Sequence, residues 1–163
     1  MSEQEKSLPS GLPIEDESGS VSLPLSERVG GARETVGVTE AGIRRLVYTF
    51  YDRIQNHETL GPIFNEQITD WEPHLKKMCD FWSSAILRTG RYAGRPLPVH
   101  RRLPDLSANL YRDWLGLFYQ TTGEIFEPSD ARLFNEMAMR MAMNMTHALG
   151  LGELHISDIQ EGI

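Results

Sequence analysis

Four side chains in this sequence could carry ligand chemistry. Tyr51, His74 and Trp114 each fall on the apolar side of a helix-patterned stretch, and His100 sits in RPLPVHRRLP, residues 95–104, among three prolines. Phenol, imidazole and indole groups can all donate hydrogen bonds, and imidazole is also a common metal ligand. Taken singly each is ordinary. Tyr and Trp anchor cores with a polar tip at the edge, a helical His is usually satisfied locally, and a loop His is usually solvated. Together they say more, because a buried polar atom is costly without a partner. Three such groups pointing into one helical interior, with a fourth on a segment stiffened by proline, suit a pocket for a cofactor and a small polar ligand.

The elements that must position them follow from periodicity. A first helix is expected over residues 39–57, with Thr39 as N-cap and an apolar stripe of Ile43, Leu46, Val47, Phe50 and Ile54, Tyr51 beside it. LGPIF, residues 60–64, reads as a break, since Gly61-Pro62 is turn chemistry. A second helix is expected over 71–89, with Asp70 as N-cap and Gly90 as the terminating glycine. One of its stripes is Leu75, Cys79, Trp82 and Ile86; another is His74, Met78, Phe81 and Ala85. Lys76, Lys77, Asp80, Ser83 and Ser84 are expected to face outward. After the proline loop, Ser107 caps a third helix running to about residue 125, with Leu110, Trp114, Leu117, Phe118 and Ile125 inward. A fourth begins near Pro128 and stops before Gly150, with Leu133, Phe134, Met137, Met141, Met145 and Leu149 as its apolar face. No strand-type alternation is sustained, so the fold class is all-α.

Bulk numbers narrow the classes. The 163 residues suit one domain with tails, and a net charge of −7 argues against a nucleic-acid partner. The single cysteine, Cys79, forms no intrachain disulfide and cannot build a thiolate metal site. No apolar run of signal or membrane length occurs, which predicts a cytoplasmic protein with no membrane contact. Residues 1–38 lack aromatics and hold seven acidic against three basic residues, the composition of a disordered acidic tail. The domain is then residues 39–150, followed by a short polar tail over 151–163. The methionine run MAMRMAMNM, 137–145, does not converge on copper, because residues two apart on a helix point to different sides.

The segments FYDRI (50–54), LGPIF (60–64), WEPHLKKMCDFWSS (71–84), TGRYAGRPLPVHRRLP (89–104) and YRDWLGLF (111–118) occur in this order over most of residues 43–126. In them the chain resembles the truncated haemoglobins, and most closely their third group. The resemblance implies a shortened globin fold, two helices packed over two, around haem b. It implies His100 as the proximal iron ligand and Tyr51, His74 and Trp114 as the distal residues. His74 is either a donor or gate above the iron or a second iron ligand. Phe64, Met78 and Phe81 would pack against the haem, and Lys77 and Arg101, by charge and location, would pair with its propionates.

The implied function is binding of O2, NO and CO. With several distal donors, ligand chemistry such as NO/O2 or peroxide turnover, supported by a reductase, fits better than bulk O2 transport. A haem-based gas or redox sensor, or a cofactor-free globin-like interaction module, are the alternatives.

Overall fold

The computed structural model describes residues 35–155 and 157–160. The expected acidic tail lies outside the described residues up to position 34. Residues 35–38 are tied down, since the Val36 N–H donates to the Ile125 carbonyl at 3.0 Å. Val36 and Val38 also pack on the core.

Among the described residues seven α-helices follow in order: α1 Glu40–Gln55, α2 Leu60–Gln67, α3 Trp71–Trp82, α4 Pro96–Arg101, α5 Ala108–Ile125, α6 Pro128–Ala148 and α7 Ser157–Gln160. A π-helical turn, Ser83–Leu87, extends α3. α1 packs against α3 and α5, and α5 packs along α6. This is the two-over-two arrangement of a shortened globin. Thr39 and Ser107 cap α1 and α5, each side chain accepting from the backbone three residues on (Gly42 N at 3.1 Å, Leu110 N at 3.4 Å). Asp70 stands at the N-cap of α3 with no side-chain cap bond.

The apolar stripe of α1 is buried at Ile43, Leu46, Val47, Phe50, Tyr51 and Ile54. Trp114 and Trp82 both stack on Phe118, at centroid distances of 5.3 and 4.9 Å. Offset stacking of this kind adds to simple area burial. Among the described residues no helix is long and apolar enough to cross a membrane.

Several local expectations are corrected. LGPIF is not a break but the start of α2. Pro62 is its third residue, inside the first turn, where backbone N–H groups have no intrahelical acceptor to lose. The proline loop likewise contains a helix, α4, with Pro96 and Pro98 in its first turn. The long second helix is α-helical only to Trp82. Ser83, expected outward, is fully buried, because the π turn rotates it toward Glu40. Leu133 is 49% exposed: the buried face of α6 is Ala131, Phe134, Ala138, Met139 and Ala142, shifted round the helix by small residues that allow close packing on α5. Beyond Gly150, in the span read as a polar tail, Leu154 and Ile159 join the core.

Candidate functional site

One large cavity, about 640 Å³, opens between these helices. α1 contributes Tyr51, α2 Phe64, α3 His74, Lys77, Met78 and Phe81, α4 His100, and α5 Trp114. Eight of the nine residues singled out in the sequence therefore meet at one cavity. Arg101 does not line it; it lies on an adjoining cavity of about 330 Å³, shared with His100 and Asp105. The size is that of a site for a cofactor-sized ligand.

His100 is aimed by its own helix. Its Nδ1 lies 2.7 Å from the Pro96 carbonyl, so Nδ1–H donates there and the lone pair is left on Nε2. Proline at the helix start supplies the fixed φ, and its carbonyl, one turn before His100, is the ring's acceptor. α4 has no buried residue, and His100 itself is half-buried at the cavity edge.

On α3, His74 packs edge-on against Tyr51 at 5.3 Å and Trp71 at 5.8 Å. His74 Nε2 is buried without a hydrogen-bond partner. Burial first, and the Lys77 charge second, push its pKa below the ordinary histidine value, so the ring is neutral. Tyr51 is 5% exposed, and burial pushes its phenol pKa well above the ordinary range, so it remains a donor. Trp114 meets Phe50 edge-to-face at 5.5 Å, which sets its ring against the α1 wall.

Sequence reading missed several lining residues. Tyr92, Arg95, Met141 and Met145 all face the cavity. Met141 and Met145 were visible as an i,i+4 pair but read as plain core. Tyr111 also faces it, with a buried hydroxyl that has no partner and a pKa pushed up to about 12 by burial. Its position one turn before Trp114 was the available signal.

The chemistry of this donor set fits a flat, largely apolar group carrying its own metal. Among the described residues no three His, Cys, Asp or Glu side chains are grouped as a metal ion needs. Two imidazoles cannot hold a metal ion alone, but either can complete the coordination of a metal that arrives with ligands of its own. The unpartnered His74 Nε2 is then no longer an unexplained cost.

No family model matches the sequence. A group 3 truncated hemoglobin of Campylobacter jejuni, Ctb, is 28% identical over 116 residues, covering 69% of this chain and 91% of the relative. The crystal structure of a group III truncated hemoglobin from Campylobacter jejuni superposes with a TM-score of 0.68 at 26% identity, over 71% of this chain and 95% of that one. In sequence and in fold, the chain resembles the group III truncated haemoglobins.

Proposed function

We propose that this truncated-haemoglobin-like chain is a haem protein that binds diatomic ligands. The observation that carries the reading is one apolar cavity lined by both His100, its Nδ1 fixed to the Pro96 carbonyl, and His74, its Nε2 buried and unpartnered. His100 would hold the iron through Nε2. Phe64, Met78 and Phe81 would pack on the haem, and Lys77 is available to a propionate at the cavity wall, with Arg101 on the adjoining one. With a single cysteine the chain has no CxxCH attachment, which favours non-covalent haem b.

When bound, the haem supplies an iron centre for O2, NO or CO and the redox chemistry of those ligands. The chain's own residues do the rest. Tyr51 stays protonated and donates, the Trp114 indole offers a second N–H, and the apolar wall excludes water, which strengthens both bonds. Two donors retain a polar ligand long enough to meet a second reactant. That supports NO/O2 or peroxide turnover, with a reductase restoring the iron, over bulk O2 transport. A cofactor-free interaction module would leave the His74 and Tyr111 polar atoms as an unrelieved cost.

The test is an absorption spectrum of the ferric, reduced and CO-exposed protein beside His100→Gly. A Soret band that shifts with CO, and haem binding lost in the variant but rescued by imidazole, is the expected result. No haem uptake after reconstitution would overturn the reading. A second form of it, with His74 as sixth ligand, is favoured by the neutral and unpartnered Nε2. His74→Leu should then convert a six-coordinate resting spectrum to an open one; an unchanged spectrum leaves His74 as donor or gate.

A further inference from the structure

Charge is unevenly spread along this chain. Residues 76–102 hold seven of the sixteen basic residues and a single acidic one, Asp80, for a net +6. Because the whole chain carries −7, the rest carries −13. This span is the one that builds a side of the cavity: the second half of α3, the π turn, and α4 with His100. Lys77 and Arg95 line the cavity, and Arg101 lines the adjoining one.

Lys76, Lys77, Arg88, Arg95, Arg101 and Arg102 are all exposed. Among the described residues the only basic side chain of the span with carboxylate partners is Arg91, which pairs with Glu40 at 2.7 Å and Asp80 at 3.2 Å. Two exposed apolar residues stand among these cations, Leu87 at 37% and Val99 at 58%. Exposed apolar residues interspersed with charged ones suit a protein interface with an apolar centre and a polar rim.

We propose that this basic span is the docking surface for an acidic protein, the one-electron donor that reduces the iron; the inference rests on the haem reading above. Two haem propionates would neutralise two charges and leave about +4. A small anion would need only the pair at the cavity, yet Lys76 lies on α3 and Arg88 beyond the end of the π turn, more than two turns of helix later. A long polyanion or a broad anionic membrane would also meet the other described residues, where fourteen acidic residues stand against six basic ones, whereas a compact acidic patch meets only the basic span. The step is one electron leaving the donor's flavin or iron–sulfur centre and reducing ferric iron to ferrous, with no bond made or broken.

The test uses the full haem-loaded chain and a labelled acidic two-iron ferredoxin, with binding read by fluorescence anisotropy at low and high salt. A Lys76→Glu, Arg88→Glu, Arg102→Glu variant brings the span to zero net charge without touching a cavity residue. An Arg45→Glu, Arg132→Glu, Arg140→Glu control makes the same overall change elsewhere. Affinity that falls with salt and drops roughly tenfold or more in the first variant, with the control within about twofold, is the expected result. The rate of iron reduction by the same carrier should follow the affinity. Equal losses in both variants, affinity indifferent to salt, or tighter binding to phosphatidylserine vesicles than to the carrier would each overturn the proposal. A Soret band with any of these outcomes removes the docking surface alone; its absence after reconstitution removes the haem reading and the electron-transfer role with it.

Discussion

Tyr51 and His74 touch at the cavity wall, and burial keeps both side chains uncharged. Burial holds the Tyr51 phenol protonated, whereas burial and the nearby Lys77 charge hold the His74 imidazole neutral. The first is therefore a fixed donor, and the second keeps a lone pair or a single N–H according to what stands opposite it. A hydrogen bond to a ligand that gathers negative charge contributes about 1.5–3 kcal/mol. Tyr51→Phe removes it without changing ring volume, so O2 release should quicken by roughly ten- to a hundredfold in stopped-flow displacement by CO. An unchanged off-rate would take the donor role from Tyr51 and leave Trp114 to account for ligand retention.

Between elements, the cavity's shape depends on two junctions. At the first, the buried Ser83 hydroxyl donates to Glu40 at 2.6 Å while Arg91 donates to Glu40 at 2.7 Å and to Ser83 at 2.9 Å, tying the start of α1 to the end of the π turn. The Ser83 hydrogen bond, then that of Arg91, lowers the Glu40 pKa below its usual 4.5. A depressed carboxylate contributes stability above pH 4.5 that is lost as pH falls through its folded value. Glu40→Gln should therefore be less stable than wild type at neutral pH and show a shallower decline below about pH 4.5 in urea titrations at stepped pH. Parallel curves would mean that the network carries no linkage. At the second junction, a Cβ on Gly61 would lie 2.7 Å from the Gln55 carbonyl oxygen and 3.2 Å from that of Ile54. Helix propensity favours Ala by about 1 kcal/mol, but the obstruction is backbone and cannot swing aside. Gly61→Ala should cost roughly 1–3 kcal/mol in chemical unfolding; a gain would mean the α1–α2 corner relaxes freely. These junctions were also the least legible features of the sequence. The caps Thr39 and Ser107 and the stripe of α1 could be read directly, because each is a local pattern. Gly61-Pro62 spelled a turn, and only the first-turn rule for proline together with the His57 ring, whose Nδ1 accepts from Leu60 N at 3.3 Å, makes it a helix start. Ser83 and Leu133 were misplaced because a π turn and a run of small residues rotate faces in ways no fixed period encodes. Tyr51, His74, Trp114 and His100 were legible as a set because each is polar where a plain core would be apolar; Tyr111 satisfied the same rule.

For the molecule as a whole, the proposed haem would couple folding to cofactor binding through one small helix. α1, α5 and α6 are bound to each other by a shared core, with Ile43, Leu46, Ile54, Leu115, Phe134 and Ala138 fully buried. α4 has six residues, none of them buried, and two prolines that give no backbone N–H. Isolated helices of that length are unstable in water, so on the haem reading its order would come from what fills the cavity. A ligand that binds only the folded state stabilises it in proportion to the logarithm of its concentration over Kd, and that stabilisation falls unevenly on the elements it touches. In the haem-free chain, amides of residues 99–103 should therefore exchange with deuterium almost as fast as an unfolded peptide, while those of α1 and α5 exchange only through global opening. Loading with haem should slow exchange at residues 99–103 by at least about tenfold and change the mid-helix amides of α5 only through the rise in global stability. His100→Gly, given haem and imidazole, separates the covalent tether from simple filling. If the bond to His100 orders α4, exchange there stays fast in the rescued variant. If cavity filling alone suffices, exchange slows as in the wild type, and the imidazole is then held by a helix that the haem face, rather than the iron, has built.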